Sequence, residues 1–221
     1  MIVPEFNTEK TPEKIVRIEL QYLPCLEYFT CILSNEIIWV DTHERYIKQT
    51  YRNRCNVLTT NKTDTLTVPV KAYDQFTLTK DIKIDYSQDW IRRHWGCLRS
   101  AYGKSPYYEF YSDELRNVFL KSPEFLIDLN YELLTICLRL LGIKKDVRYN
   151  LSVPANSDSS VIDELSSIND KKNKYSCKYY QPISYYQTFG NDFVSNLSIV
   201  DLLFNMGPEA RGILLRSCKQ Q

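Results

Sequence analysis

Apolar and polar positions first fall into register at Ile15. In "KIVRIELQYLP" the residues Ile15–Leu20 predict a short strand that ends before Pro24, a residue with no N–H to continue a ladder. In "CLEYFTCILS" the side chains of Leu26, Phe29 and Leu33 recur at helical spacing, predicting a short helix. Glu36–Asp41, "EIIWVD", is a compact β-branched and aromatic run that suits a buried strand. Strand, helix and strand in that order predict an α/β domain with at least one parallel pair. Thr65–Val70 and Asp81–Tyr86 alternate with period two and predict two further strands, the first pushed toward a sheet edge by Pro69.

The period changes at Ser87. Ile91, Trp95, Leu98 and Tyr102 form a helical stripe with Arg92 and Arg99 along one side, Arg93 opposite, and Gly103 placed to stop the helix. "SPEFLIDLNYELLTICLRLLG" predicts a longer helix, with Pro123 in its first turn, Gly142 at its end, and Leu126, Leu129, Leu133, Cys137 and Leu140 inward. Ser152–Lys174 is polar and reads as a surface excursion, with only "VIDELSSI" able to coil. Near the end, Ser198 is placed to cap a helix. Asp201 sits three residues on, reaching back to the cap, and Leu197 and Leu202 form a hydrophobic staple. Gly207-Pro208 then separates that helix from another. These elements predict one α/β domain: a mixed sheet built mainly by residues 15–86, with a helix-rich C-terminal half packed on it.

Charge narrows the function. The 28 basic and 27 acidic side chains of the 221 residues nearly cancel, which disfavours nucleic acid as a partner. No apolar stretch approaches the roughly 20 residues a membrane-spanning helix needs. The first residues lack a secretory signal pattern, and seven cysteines without a C-x-x-C pair fit reduced thiols, so a cytoplasmic protein is expected. Seventeen tyrosines suit either a core with wet edges or a polar cleft.

Several chemistries lack their residues. Six glycines include no G-x-G-x-x-G or G-x-x-x-x-G-K-[ST], and two histidines do not make a His-rich metal centre. "DTHE", Asp41–Glu44, reads better as a polar strand end than as a loose cation site. No cofactor is indicated. A Cys–His pair, Cys55 or Cys97 with His94, has no more support than any cysteine-rich chain would give.

What remains is a cluster of cations. "RYIKQTYRNR" gathers Arg45, Lys48, Arg52 and Arg54 beside Tyr46, Tyr51 and Asn53. Guanidinium groups grip phosphate or carboxylate through paired hydrogen bonds, so the cluster is a candidate anion site without a glycine loop. A second basic group, Arg92, Arg93, His94, Arg99 and Lys104, would complete a tyrosine-lined cleft if the two converged. The competing reading pairs these charges with Glu44, Asp89 and Asp113. His94, at the border of its stripe, reads as a proton-transfer group or as a histidine bonded to backbone. Asp41 reads as a ligand contact or a turn. Asp201 reads as a cap. "SPYYEFY", Ser105–Tyr111, reads as core ahead of a stacking surface.

The order of "QYLPCLEYF", "VDTHERYIKQTYRNRC", "LTVPVK", "DWIRRHWGCLRSAYGKSPYYEFY" and "YYQTFGNDFVSNLSIVDLLFNMG" resembles the WbqC-like protein family from about Ile15 to Gly207. The chain departs from it where Gln21 lacks a following proline and where the polar 152–174 stretch replaces a longer segment. The resemblance implies a place in O-antigen or other bacterial surface-polysaccharide assembly and supplies no catalytic residue. The expected ligand is an anionic small molecule such as a nucleotide sugar. Tyr46, Lys48, Tyr51, Arg52, Asn53, Arg54, Tyr102, Lys104 and Gln181 are the candidate contacts, and His94 and Asp41 the candidate proton-transfer groups. The expected activity is transfer from such a donor; the alternative is a non-catalytic binding or regulatory module of the same pathway.

Overall fold

Ile15–Ile18 (β1) leads through the helix Leu26–Leu33 (α1) to Ile37–Val40 (β2), and the two strands pair in parallel with Ile15 opposite Ile37. The computed structural model describes residues 14–60, 62–149, 161–169, 177–190 and 192–219. Asp146–Tyr149 (β5) adds in parallel to the outer side of β2, and Val161–Asp163 (β6) adds in parallel to the free side of β1. The sheet order is therefore β5-β2-β1-β6. Alternation sorts its two faces. Val16, Ile18, Ile38 and Val40 enter the main core, while Ile15, Ile37 and Trp39 form a smaller cluster behind it.

A separate antiparallel pair, Arg54–Leu58 (β3) with Thr63–Thr67 (β4), is in register from Arg54 opposite Thr67 to Leu58 opposite Thr63. The fold class is thus α/β as expected, with the parallel and antiparallel pairings in two different sheets. Asp81–Tyr86 departs from expectation. Asp81 closes a 3₁₀ turn, and Lys83 and Ile84 make only isolated bridges to Phe125 and Val70. Two strands of the parallel sheet come from the second half of the chain, and β6 lies inside the expected polar excursion. The remainder of that excursion, 152–160 and 170–174, falls outside the described residues.

The helices are Trp90–Tyr102 (α2), Tyr108–Leu120 (α3), Leu126–Leu140 (α4), Ile199–Met206 (α5) and Ala210–Arg216 (α6). Leu126, Leu129, Leu133 and Cys137 of α4 are buried as their spacing predicts. Gly142, at φ +63°, supplies the left-handed residue just past its end. Asp201 corrects its expected role as a cap. It is fully buried, and its carboxylate accepts from Tyr185 Oη at 2.6 Å and Gln187 Nε2 at 2.9 Å. The Ser198 hydroxyl donates to the Leu23 carbonyl at 2.8 Å and makes no cap bond. Among the described residues no helix is long and apolar enough to cross a membrane.

Candidate functional site at the carboxyl edge of the sheet

Ligands of open α/β sheets settle beyond the carboxyl ends of the strands, where the strand order reverses. Here β1 is flanked by β2 on one side and the late β6 on the other, so the reversal lies beside the end of β1. The residues just past these ends are Glu19 after β1, Asp41–Glu44 after β2, and Glu164–Ser166 after β6. Half of them are acidic. Glu19 and Glu164 are buried, and each is satisfied internally.

The turn before β3 drives Arg52 into this edge. Its guanidinium donates from Nε to Glu44 Oε1 at 2.8 Å, and from Nη2 to Glu44 Oε2 at 2.5 Å and to Ser166 Oγ at 2.8 Å. Glu19 Oε2 lies 3.9 Å away and accepts from the Ser166 amide at 2.7 Å. Gln21 Nε2 donates to Glu19 Oε1 at 3.0 Å. Burial pushes the Glu44 carboxyl up, against the pull of Arg52. The expectation that Arg52 faces an anionic ligand is corrected: with its side chain 1% exposed and two carboxylates around it, it joins the ends of three strands.

Arg54, two residues on, differs. It starts β3, and no carboxylate pairs with it among the described residues. Its Nε is buried without an acceptor. Tyr46 is buried, edge-on to Tyr73 at 5.0 Å, and its hydroxyl has no hydrogen-bond partner among the described residues. Burial raises the Tyr46 phenol well above its usual range, while the charges of Arg52 and Arg54 oppose the rise. Asn53 donates its side-chain N–H to the Val68 carbonyl at 2.9 Å, and among the described residues its oxygen has no partner. Lys48 is exposed. Tyr51 is buried and its carbonyl accepts from the Tyr22 amide at 2.8 Å.

The other expected contacts lie elsewhere. Tyr102 packs on Phe204 in the core, and its hydroxyl accepts from the Leu58 amide at 3.1 Å, so it contacts protein and not a cleft. Lys104 is exposed in the turn between α2 and α3. Gln181 has an exposed side chain, and its amide donates to the Ser217 carbonyl at 2.8 Å, beside the end of α6. The second basic group splits: Arg92 and Arg99 border a groove between α2 and α3, while Arg93 and His94 border another beside β4. Arg54 lines neither of these two grooves.

His94 is buried with both ring nitrogens engaged. Nε2 faces the Thr67 carbonyl at 3.1 Å, which can only accept, so Nε2 carries the proton and Nδ1 accepts from the Tyr22 hydroxyl at 2.9 Å. Burial pushes its pKa down to about 4. This is the backbone-bonded histidine of the two readings, and it leaves no nitrogen for a ligand. Cys97 shares that groove, and burial raises its thiol pKa, the reverse of an activated nucleophile. Asp41 accepts from Arg17 Nε at 3.0 Å and closes a turn by accepting from the His43 amide at 2.8 Å. Glu44 points to Arg52, so "DTHE" does not converge on a cation. Among the described residues no group of three His, Cys, Asp or Glu side chains is placed to hold a metal.

Reading the sequence missed Glu19, Glu164 and Ser166. Glu19 lies one residue past a strand end, a position at which a buried carboxylate was a detectable signal. Glu164 and Ser166 were hidden in a stretch read as surface.

No solved structure matches the chain. It is 26% identical over 238 residues to the uncharacterized protein Rv1507c of Mycobacterium tuberculosis (strain ATCC 25618 / H37Rv), a match covering 94% of this chain and 100% of that one. The profile of the WbqC-like protein family matches residues 21–178 and again 168–213, a span that includes Gln21, Glu44, Arg52, Arg54 and Ser166. On that coverage, the chain belongs to the WbqC-like protein family.

Proposed function

We propose that this protein binds an anionic activated sugar, a nucleotide-linked sugar being one form, in the cytosolic assembly of a bacterial surface polysaccharide, and transfers a group from it. One observation supports the binding half: among the described residues Arg54 Nε and the Tyr46 hydroxyl are buried polar atoms without a partner. An unmade hydrogen bond at a buried group costs about 1–3 kcal/mol, and a phosphate or carboxylate oxygen would remove that cost for both. In this reading Arg54 grips the anion, Tyr46 donates its proton, and exposed Lys48 adds charge at the rim. Arg52 is a positioning residue that fixes the segment to the sheet. The transfer half rests on the association of WbqC-like proteins with surface-polysaccharide gene clusters.

A specific observation favours a second reading. Both expected proton-transfer groups, His94 and Asp41, are held by protein partners, which suits a binding or regulatory module of the same pathway. Thermal-shift and calorimetric titrations with two base-free probes, glucose 1-phosphate and galactose 1-phosphate, test the site. Binding that raises Tm and disappears in Arg54→Ala, with the variant's own Tm unchanged, supports it. Silence with both probes, or equal binding by Arg54→Ala, overturns it. Turnover of a bound probe then separates enzyme from module.

A further inference from the structure

Away from the Arg54 site, α2 and α3 enclose a groove of about 380 Å³ lined by Trp95, Gly96, Arg99, Arg116, Phe119 and Leu120, among others. Its charges are unbalanced. Arg92 is paired with Asp89 at 2.5 Å, but among the described residues neither Arg99 nor Arg116 has a carboxylate partner. The two converge from different helices, close enough that both charges oppose the burial-driven rise of the Tyr108 phenol pKa. Like charges brought together repel unless an anion sits between them.

Apolar side chains line much of the rest of the groove. The Arg116 guanidinium lies over the Trp95 ring at 6.0 Å, Phe119 is buried, and Leu120 is 64% exposed. Gly96 is the second observation. It sits in the middle of α2, where glycine lowers helix stability relative to alanine, yet among the described residues a Cβ there would meet nothing within 4 Å. Packing within the chain does not call for glycine. A planar body lying against the helix backbone would. Arg92, Gly96 and Arg99 follow at i, i+4 and i+7, so the bare backbone lies on the same helix face as the cations.

We infer that this groove is a nucleoside diphosphate site, with the base held against Trp95 and the Gly96 backbone and the phosphates gripped by Arg99 and Arg116. Guanidinium forks match phosphate oxygens, and aromatic faces take any base. The volume suits a ligand of that size. A folded protein partner would need about 800 Å² on each side, more than this groove provides.

The test is quenching of tryptophan fluorescence by ADP and UDP, with inorganic pyrophosphate and an Asp/Glu-rich peptide as comparisons. Trp39 and Trp90 are buried, so Trp95 is the accessible reporter, and Trp95→Phe removes the signal. Binding of ADP and UDP should weaken at least tenfold in Arg99→Ala and in Arg116→Ala. Gly96→Leu should abolish it while raising Tm, a gain that a damaged fold cannot give. Pyrophosphate, lacking the ring, should bind at least tenfold more weakly than ADP. Arg54→Ala should change none of these values, which separates this site from the one proposed above. No quenching at millimolar nucleotide, binding that survives all three substitutions, pyrophosphate equal to ADP, or preference for the acidic peptide would each overturn the assignment.

Discussion

The Arg52 guanidinium meets the Glu44 carboxylate through two hydrogen bonds, Nε to Oε1 at 2.8 Å and Nη2 to Oε2 at 2.5 Å, with the arginine side chain 1% exposed. Breaking one partner of such a pair strands the other charge away from water, at about 3–5 kcal/mol. Arg52→Ala and Glu44→Ala should therefore each lower Tm by about 6–20 °C for a chain of this size. Arg52→Ala should lose binding only in proportion to its loss of folded protein. A stable Arg52→Ala protein that no longer binds an anionic sugar would return Arg52 to the ligand.

Tyr46 offers the opposite sign. Among the described residues its hydroxyl is buried without a partner, so deleting it removes a desolvated polar group and keeps the ring against Tyr73. Tyr46→Phe should be neutral or stabilising by up to about 1 kcal/mol in urea unfolding without ligand. If the hydroxyl donates to a bound anion, the same substitution should weaken sugar-phosphate binding about five- to tenfold. A destabilised Tyr46→Phe protein would mean that the hydroxyl already has a partner.

How much of this was legible in the sequence depends on what each signal encodes. The apolar runs at Ile15 and Glu36 report strands covered on both faces, the 3.6-residue stripes of α2 and α4 report burial on one face, and those elements form. Helix α3 was missed because its aromatic run mixes buried Tyr108 with Phe110, which is 72% exposed, and so blurs the period. Strand β6 was missed because three residues paired on one side need little apolar character. The site was harder still. Arg52 and Arg54 are chemically identical and two residues apart, yet one lies in a turn that dives under three strand ends and the other opens β3. Which arginine is neutralised depends on Glu19, Glu44 and Ser166, brought together from three strand ends by the sheet order. Local sequence does not carry that information.

Gly207 illustrates a constraint that composition alone hides. It ends α5 at φ +50°, and a Cβ there would come 2.4 Å from the Tyr107 ring. Alanine would meet both backbone strain and a ring held between helices. Gly207→Ala should destabilise by about 2–4 kcal/mol, by analogy with overpacking plus a left-handed backbone. Adding Tyr107→Ala should recover the steric part and leave the backbone part. If the double variant is no more stable than Gly207→Ala, the ring is not the obstacle.

His94 fixes a pH dependence. Its pKa is pushed down to about 4 by burial, against an ordinary value of 6.5, so the unfolded chain takes up a proton before the folded one does. A group depressed on folding contributes stability that is full above its unfolded pKa and is lost as pH falls toward its folded pKa. Each pH unit of that depression is worth about 1.4 kcal/mol, which puts the loss between pH 6.5 and 4 at about 2–3 kcal/mol once residual solvent contact is allowed for. Carboxylates titrate over the lower part of the same range, so the informative quantity is the difference from His94→Gln. That variant keeps a donor for the Thr67 carbonyl but cannot ionise. It should be less stable than the natural protein at pH 7, because the Tyr22 hydroxyl and the ring packing are disturbed. As pH falls its deficit should shrink, since only the natural protein has an imidazole to protonate on unfolding. Parallel stability curves for the two proteins from pH 7 to 4.5 would show that His94 reaches solvent in the folded state, and would reopen it as a proton-transfer group.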